Sequence, residues 1–376
     1  MSITIKEIQP KKKELKKYVR LGIDLYRGNR YYVPPLIIDE VNTLLPSKNP
    51  AFDFCKAESF IAFRNGRPAG RITAIINSQV NNRSGKKELR FGFMDFIDDE
   101  EVSKALFDAA IKWGKEHGMT SIVGPMGFTD MDHEGLLIEG FDEMGTMATI
   151  YNYPYYSRHL ENLGFKKDID WVEYRITIPS AIPEKYARIS EIVKRKYNLR
   201  VLKFTSRKKV RQQYGQALFN LINEAYDHLY GYSPLTPRQI DYYINLYLGI
   251  LRLEDVCVVV DSNDSLVGVG ITISSFSNAL RRSNGRLFPF GWRHFIKPLR
   301  GKENVVDLLL VAVKPEYQNK GVNSLIFCDL IPIYIKNGYK FAESNPELEC
   351  NDNVQKQWDY FEHRQHRRRR AYRMEI

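Results

Sequence analysis

Apolar residues along this chain fall into short runs and stripes whose periods predict both strands and helices. The clearest run is Val305–Val313, in which only Asp307 is charged, and it predicts a buried strand. A proline ends that strand, and a polar loop leads to Gly321. After the glycine, apolar residues recur at helical spacing over Leu325–Tyr334, which predicts a helix with one buried face. The pattern therefore predicts a strand, a glycine-containing loop and a helix in direct succession.

The same kinds of element occur in the same order in both halves of the chain. Each half has a predicted hairpin, Glu58–Asn77 about Asn65-Gly66 and Asp255–Ser274 about Asp261–Ser265. Around each hairpin the order is helix, proline break, helix, hairpin, strand, helix, strand, helix, strand, although the halves share little sequence identity. We therefore expect an α/β fold with mixed sheets, duplicated in two domains at residues 1–179 and 180–376.

The loop before Gly321 has the features of a phosphate site. A helix N-terminus presents backbone N–H groups without intrahelical partners, the helix dipole is positive there, and Lys320 adds a cation. The alternative is an ordinary strand-to-helix turn in which glycine serves only the backbone.

Gln318–Asn323 resembles the Q/R-x-x-G-x-G/A loop of the GNAT superfamily of acyl-CoA-dependent N-acyltransferases, and Val311–Pro315 resembles that family's strand ending in V-x-P. The resemblance implies acetyl-CoA or another acyl-CoA as the donor. The loop would hold its pyrophosphate, and the strand backbone would pair with its pantetheine arm. Asn323 stands where the family has a small residue, and its bulk is expected to crowd the first helical turn. The donor-binding residues that the resemblance implies are Val311, Ala312, Val313, Gln318, Asn319, Lys320, Gly321, Val322, Asn323 and Asn353.

Acyl transfer also needs an acid for the leaving thiolate. Tyr360 follows Asn353 by seven residues, which is the family's spacing and would place both side chains on one helix face. The resemblance implies that Tyr360 is this acid. The alternative is a core tyrosine beside Trp358 and Phe361.

A base must take the proton of the attacking amine. Asp307 is the first candidate, because burial in an apolar strand would raise its pKa. The alternative places Asp307 at an exposed strand start. Glu343 is the second candidate, and Glu347 lies just after the same predicted strand.

The corresponding loop of the first half is acidic and has no glycine. Asp98 is the predicted N-cap of the next helix, and Asp99, Glu100 and Glu101 follow it. Four carboxylates would repel a polyphosphate. The first domain is therefore not expected to bind coenzyme A in the usual way.

Three segments resemble a bacterial family of tandem GNAT-like proteins: residues 285–297, the Gly- and Tyr-rich loop Gly124–Asp142 with Tyr151–Tyr156, and Tyr31–Pro35. This resemblance spans nearly the whole chain. The resemblance implies an N-acyltransferase that uses acyl-CoA, first of all acetyl-CoA, and transfers the acyl group directly to an amine of unknown identity. One alternative is a long-chain acyl-CoA donor with a lipid amine acceptor. Another is a non-catalytic protein that keeps the fold and binds an anionic surface.

The insertion at residues 285–297 alternates aromatic residues with cations, which suits an acidic lipid surface and predicts peripheral membrane contact. The alternative is a loop that packs its aromatic side chains on the domain below.

The net charge of +11, from 56 Lys and Arg against 45 Asp and Glu, favours an anionic partner. Arg364–Arg373 could suggest nucleic acid, but it falls where a terminal strand is expected, so nucleic acid is not expected. Some of these arginines could instead meet the phosphates of the donor.

The four cysteines and seven histidines show no metal-ligand spacing, so no metal is expected. The chain has no apolar secretory signal and no run of about 18 apolar residues, so a cytoplasmic location is expected. The oligomeric state stays open.

Overall fold

The computed structural model describes residues 2–247 and 249–376 and shows a mixed α/β fold, which confirms the predicted fold class. The chain divides into two compact units. Unit 1 comprises Met1–Val172, Ser277–His294 and His366–Ile376, and unit 2 comprises Glu173–Phe276 and Phe295–Gln365. The domain limits of 1–179 and 180–376 stay a prediction.

Helices and strands are interspersed along the chain up to residue 177. They are β1 (Ile3–Glu7), α1 (Lys12–Leu25), α2 (Ile37–Thr43), β2 (Cys55–Arg64), β3 (Arg67–Asn77), α3 (Ser78–Ser84), β4 (Glu88–Phe96), α4 (Glu100–Glu116), β5 (Ser121–Gly124), β6 (Leu136–Glu139), α5 (Tyr155–Asn162) and β7 (Lys166–Thr177).

From residue 184 the chain repeats this alternation. The elements are α6 (Glu184–Lys196), β8 (Arg200–Leu202), α7 (Arg207–Tyr226), α8 (Pro237–Tyr247), β9 (Val256–Val260), β10 (Leu266–Ser274), α9 (Ser277–Ser283), α10 (Ile296–Leu299), β11 (Val305–Val313), α11 (Asn323–Asn337), β12 (Phe341–Ser344), β13 (Glu347–Leu348), α12 (Asp352–Gln355) and β14 (His363–Glu375). Short 3₁₀ turns include Gly291–Phe295, Pro315–Tyr317 and Lys356–Tyr360.

In unit 1 the strands lie in the order β1-β2-β3-β4-β5-β14. Neighbours are antiparallel except β4 and β5, which are parallel. Side chains of β3 alternate between two apolar clusters. Ile72 and Ala74 join the cluster that contains Leu106 of α4, whereas Ile75 joins the cluster that contains Val19 of α1. Successive side chains of β3 thus point to opposite faces of the sheet, and both faces are buried.

Unit 2 has the strand order β8-β9-β10-β11-β12-β7. Again every neighbouring pair is antiparallel except one, here β11 and β12. α7 packs on β10 and β11, α11 packs on β9 and β10, and α6 packs on α11. Each unit therefore contains one parallel pair that is followed by an antiparallel neighbour.

The arginines of β14 are used inside unit 1. Arg367 and Arg369 are buried, and their guanidinium groups donate to the carbonyl oxygens of Met144 and Ile150. Arg370 forms a two-bond ion pair with Asp170 at 2.8 and 3.0 Å. These three side chains hold the fold of unit 1. That others of Arg364–Arg373 meet donor phosphates stays a prediction.

No helix in the described part of the chain is both long and apolar enough to cross a membrane.

Candidate active site

The sheet of unit 2 opens beside the second half of β11. β11 pairs in parallel with β12 from Val305↔Phe341 to Leu308↔Ser344. Beyond that point β11 continues to Val313 along β10, whereas the chain after β12 turns away into β13. The side chain of Asn345 donates to the Leu309 carbonyl at 2.7 Å where the strands part. A gap therefore begins next to residues 309–313.

Backbone groups in this part of β11 are those predicted to pair with the pantetheine arm. Val311 is half-buried, whereas Ala312 and Val313 are buried. The Val311 carbonyl already accepts a hydrogen bond from the hydroxyl of Tyr226, at 2.9 Å. A carbonyl has two lone pairs, so Tyr226 leaves capacity there while it fixes the strand against α7. Tyr226 lies 85 residues away, and no local pattern in the sequence could have indicated it.

The loop after β11 has the backbone shape that a glycine makes possible. Gly321 has φ +79°, and a Cβ there would lie 3.0 Å from Cγ2 of Ile189 and 3.1 Å from Cγ2 of Val193. Asn319 is also left-handed, with φ +57°. The side-chain Nε2 of Gln318 donates to the Val313 carbonyl at 3.1 Å, which holds the loop against the strand. The predicted loop residues are thus brought together at the start of α11.

The N-terminus of α11 is open to an anion. Val322 occupies the cap position, and no side chain accepts from the first-turn amides. The amides of Ser324 and Leu325 donate to the carbonyl oxygens of Gly321 and Val322, both at 3.0 Å, which leaves the amides just before them, at residues 321–323, for an anion. The helix dipole makes this end positive. Lys320 is exposed beside it, with Nζ 5.5 Å from the ring centroid of Tyr197. Amides, dipole and ammonium together fit a phosphate group.

Asn323 is directed sideways rather than into the open end of the helix. Its Nδ2 donates to Oε1 of Gln357 at 3.3 Å, which ties the first turn of α11 to the 3₁₀ turn Lys356–Tyr360. Asn323 thus makes a contact that the sequence did not suggest, and its crowding of the first helical turn stays a prediction.

The helix start in unit 1 is closed by its own carboxylates. Asp99, not the predicted Asp98, is the N-cap of α4, and it accepts from the amides of Glu101 at 3.0 Å and Val102 at 3.3 Å. Asp98 instead pairs with Arg158 at 2.7 Å and accepts from His159 at 2.8 Å. The acidic loop is thus present as predicted, but the identity of its cap was wrong by one residue.

Asn353 and Tyr360 do not lie on one continuous α-helix. α12 ends at Gln355, and the 3₁₀ turn that follows, with three residues per turn, rotates Tyr360 away from the α-helical register. The prediction of one helix that carries Asn353 and Tyr360 on the same face was therefore wrong. Asn353 is exposed.

Tyr360 lies at the surface of unit 2. Its side chain is 43% exposed, so the alternative of a buried core tyrosine is wrong. Lys185 Nζ donates to its hydroxyl at 2.8 Å and lies 4.1 Å from its ring centroid. The ring of Tyr186 meets that of Tyr360 edge-on. The hydroxyl is thus accessible and is held by a cation.

Asp307 and Glu343 are both buried, side by side on the parallel pair. Burial of Asp307 contradicts the alternative of an exposed strand start. Glu343 faces Arg175 in register on β7, and Arg175 Nε lies 3.6 Å from its carboxylate. Burial and this ion pair limit the access of an amine to either group, although both stay predicted bases.

Glu347 follows Ser344, the last residue of β12 that pairs with β11, by three residues. Burial raises its pKa to about 8, with a further contribution from the negative charge of Glu173. Hydrogen bonds from Trp358 Nε1, at 3.0 and 3.2 Å, and from Ser344 act in the opposite direction. Because its pKa is close to neutrality and its side chain is only partly buried, Glu347 is suited to accept a proton. Its contacts with Trp358 and Glu173 are tertiary. The sequence therefore identifies Glu347 as a candidate base but gives no reason to prefer it to Asp307 or Glu343.

In the described ranges, 2–247 and 249–376, no group of three or more His, Cys, Asp or Glu side chains could hold a metal ion.

Comparisons with known proteins identify two relatives by sequence. No protein-family model matches it. It is 30% identical over 324 residues to Protein YghO of Escherichia coli K12, an alignment that covers 85% of this chain and 81% of that protein. It is 28% identical over 310 residues to the bacterial ceramide synthase of Caulobacter vibrioides NA1000, covering 81% and 79%.

Solved structures share the fold at low sequence identity. A tandem GNAT protein from the clavulanic acid biosynthesis pathway has a TM-score of 0.59 at 10% identity, covering 100% of this chain and 98% of that one. A GCN5-related N-acetyltransferase from Sphaerobacter thermophilus has a TM-score of 0.50 at 11% identity, covering 99% and 95%. The predicted duplication of the GNAT fold is thereby confirmed. The chain belongs to the same family as Protein YghO, and its fold is that of a tandem GNAT protein.

Proposed function

We propose that this protein transfers an acyl group from acyl-coenzyme A to the nitrogen of an amine, with the donor bound in unit 2. One observation carries the proposal: α11 begins without a side-chain cap, directly after Gly321 and Lys320. The residues there fit a diphosphate, because they supply the backbone amides of residues 321–323, the positive end of a helix and an exposed ammonium. The predicted donor residues, from Val311 to Asn323 together with Asn353, remain part of this proposal.

In the proposed reaction the amine nitrogen forms a bond to the thioester carbon, and the carbon–sulfur bond breaks. Glu347 takes the proton that the nitrogen loses, which its pKa of about 8 suits. Asp307 and Glu343 are the other proposed bases. Tyr360 gives its hydroxyl proton to the departing thiolate, and the Lys185 ammonium that donates to Tyr360 can return a proton to it.

The acyl group that is transferred has two candidates, an acetyl group and a long-chain acyl group. The resemblance to the GNAT superfamily favours acetyl-CoA. Two observations favour a long-chain donor and a lipid amine instead. Leu308, Leu309 and Leu310 are only half-buried although they lie on an inner strand of unit 2, so apolar surface is available at the gap. In addition, one relative is a ceramide synthase, and a ceramide is the amide of a fatty acid with a long-chain amine. We propose the lipid amine as the acceptor class.

The cytoplasm, where acyl-CoA is made, stays the predicted compartment of this reaction.

An assay with two donors and two acceptor classes tests the proposal. The full chain is incubated with acetyl-CoA or palmitoyl-CoA, and with either a long-chain amino alcohol or a short polyamine. Thiol release and the amide product are followed by absorbance and mass spectrometry. We expect amide formation to be fastest with palmitoyl-CoA and the amino alcohol. Product only with acetyl-CoA and the polyamine would keep the reaction and overturn the acceptor class. No product in any combination, and no heat on titration with coenzyme A, would overturn the proposal as a whole.

A further inference from the structure

A surface loop of unit 1, residues 286–294, exposes aromatic side chains that a folded chain normally buries. Phe288 is 77% exposed, Phe290 63% and Trp292 46%. The alternative that these aromatic side chains pack on the domain below is therefore wrong for all three. An apolar group of this kind on a protein surface marks an interaction site.

The chain around these rings is basic and contains no acid. Between Ser277 and His294 there are four arginines and neither Asp nor Glu. Arg282, Arg286 and Arg293 are exposed. The guanidinium of Arg293 lies 5.0 Å from the ring centroid of Phe290 and 5.9 Å from that of Trp292, so cation and aromatic side chains share one patch.

Backbone hydrogen bonds fix this loop and the residue that precedes it. Gly285, with φ +67°, donates to the Leu280 carbonyl at 3.0 Å, and its carbonyl accepts from the Ile37 amide at 2.9 Å. The Trp292 amide donates to the Leu287 carbonyl at 2.8 Å. At Gly291 a Cβ would lie 1.7 Å from the carbonyl oxygen of Arg286, so only glycine permits this close turn. The aromatic side chains are thus held outward by an ordered loop.

We propose that this patch, Phe288, Phe290 and Trp292 with Arg286 and Arg293, docks the protein on the anionic face of a lipid bilayer. Phenylalanine and tryptophan enter the boundary between headgroups and acyl chains, while arginine binds lipid phosphate and anionic headgroups. A second copy of this chain is a poor occupant, because two such basic patches repel each other. Docking does not rest on the proposed function, since vesicle binding requires neither donor nor acceptor.

Co-sedimentation with vesicles tests the docking surface. The full chain is mixed with vesicles of phosphatidylcholine alone, or of phosphatidylcholine with about 30% phosphatidylglycerol, at low and high salt. We expect sedimentation with the anionic vesicles only, and less of it at high salt because the arginine contacts are screened. Two double variants, Phe288→Ser with Phe290→Ser and Arg286→Glu with Arg293→Glu, should each lower partitioning about tenfold or more.

Matched controls separate the patch from general effects. Ile192→Ser with Ile335→Ser removes two exposed apolar side chains from unit 2, and Lys13→Glu with Lys16→Glu reverses two exposed charges of unit 1. Both controls should sediment like the wild type. The proposal is overturned if the wild type stays in the supernatant, or if the patch variants sediment as the controls do. It is also overturned if the patch variants abolish self-association and leave vesicle binding unchanged, which would assign the patch to a second copy.

Discussion

In each unit a helix follows the first strand of the parallel pair: α4 follows β4 in unit 1, and α11 follows β11 in unit 2. The N-termini of these two helices differ in charge. The first turn of α4 contains Glu100 and Glu101, and Asp99 caps it. α11 has no acid in its first turn and no side-chain cap. The same architecture thus offers one helix end that is closed by its own carboxylates and one that is open.

The carboxylates at α4 are engaged in holding unit 1 together. Arg64 lies 3.1 Å from Asp99 and also pairs with Glu101, and Asn162 donates to Glu100 at 2.9 Å. Asp98 is held by Arg158 and His159. In a duplicated fold, one copy of this helix N-terminus can therefore stabilise its unit through ion pairs while the other copy can bind a ligand. The fold alone does not determine which copy has which role.

The largest expected effect is the loss of donor binding when the open end is blocked. Gly321→Trp must place a side chain at φ +79° and against Ile189, so we expect the affinity for coenzyme A to fall about a hundredfold or more. Titration calorimetry measures it. Gly338→Trp, at the other end of α11, is the control, since its φ is +77° and no atom lies within 4 Å of a Cβ there. Equal loss in both variants would mean that backbone strain, not the loop, controls binding.

The next effect concerns the proposed base. Glu347→Gln should lower kcat/KM about a hundredfold, because an amide cannot take the proton. In the wild type kcat/KM should rise with pH up to about 8, where Glu347 loses its own proton, and the variant should lack this rise. Glu134→Gln is the matched control, because burial also raises the pKa of Glu134 to about 8, but in unit 1.

The stability of Glu347→Gln provides a second readout. The folded pKa of about 8 lies above the reference value of 4.5, so the stabilising contribution is present below about 4.5 and is lost as pH rises through 8. The free energy of unfolding of the wild type should therefore decline across this range more steeply than that of Glu347→Gln. A pH–rate profile that is unchanged in Glu347→Gln would transfer the role of base to Asp307 or Glu343.

A smaller effect is expected from reversing the charge at the open helix end. Lys320→Glu should weaken coenzyme A binding about tenfold, and the difference from wild type should shrink at high salt. Lys104→Glu on α4 is its counterpart in unit 1, an exposed lysine paired with Asp108 at 2.6 Å. If both reversals weakened binding equally, the overall charge of the protein would explain the affinity and the comparison would fail.

The smallest effect should come from opening the closed helix end. Asp99→Ala removes the cap of α4 and should lower the free energy of unfolding by about 1 kcal/mol, measured by urea denaturation. Coenzyme A affinity should not change. A change in that affinity would show that the acidic helix start takes part in donor binding.

The strands and hairpins could be predicted from the sequence because their signals are local. The apolar run at Val305–Val313 is β11 to the residue, and the turn at Asn65-Gly66 joins β2 to β3. The 3₁₀ turn at Lys356–Tyr360 could not be predicted, because tertiary contacts shape it. Trp358 bonds to Glu347, and the hydroxyl of Tyr186 donates to the Gln357 carbonyl.

The candidate site also has a part that the sequence predicts and a part that it does not. The glycine loop is a contiguous motif, so residues 318–323 could be read directly. The order of the candidate bases could not, since it depends on burial and on neighbours distant in the chain, such as Glu173 beside Glu347 and Arg175 beside Glu343.

Hydrogen–deuterium exchange with and without coenzyme A tests the contrast between the two helix starts most directly. The amides of residues 321–323 should exchange more slowly when coenzyme A is bound, because the phosphates accept their hydrogen bonds. The amides of Glu101 and Val102, which the Asp99 carboxylate already caps, should exchange at the same rate with and without it. Slower exchange at Glu101 and Val102, or unchanged exchange at residues 321–323 under saturating coenzyme A, would contradict the account.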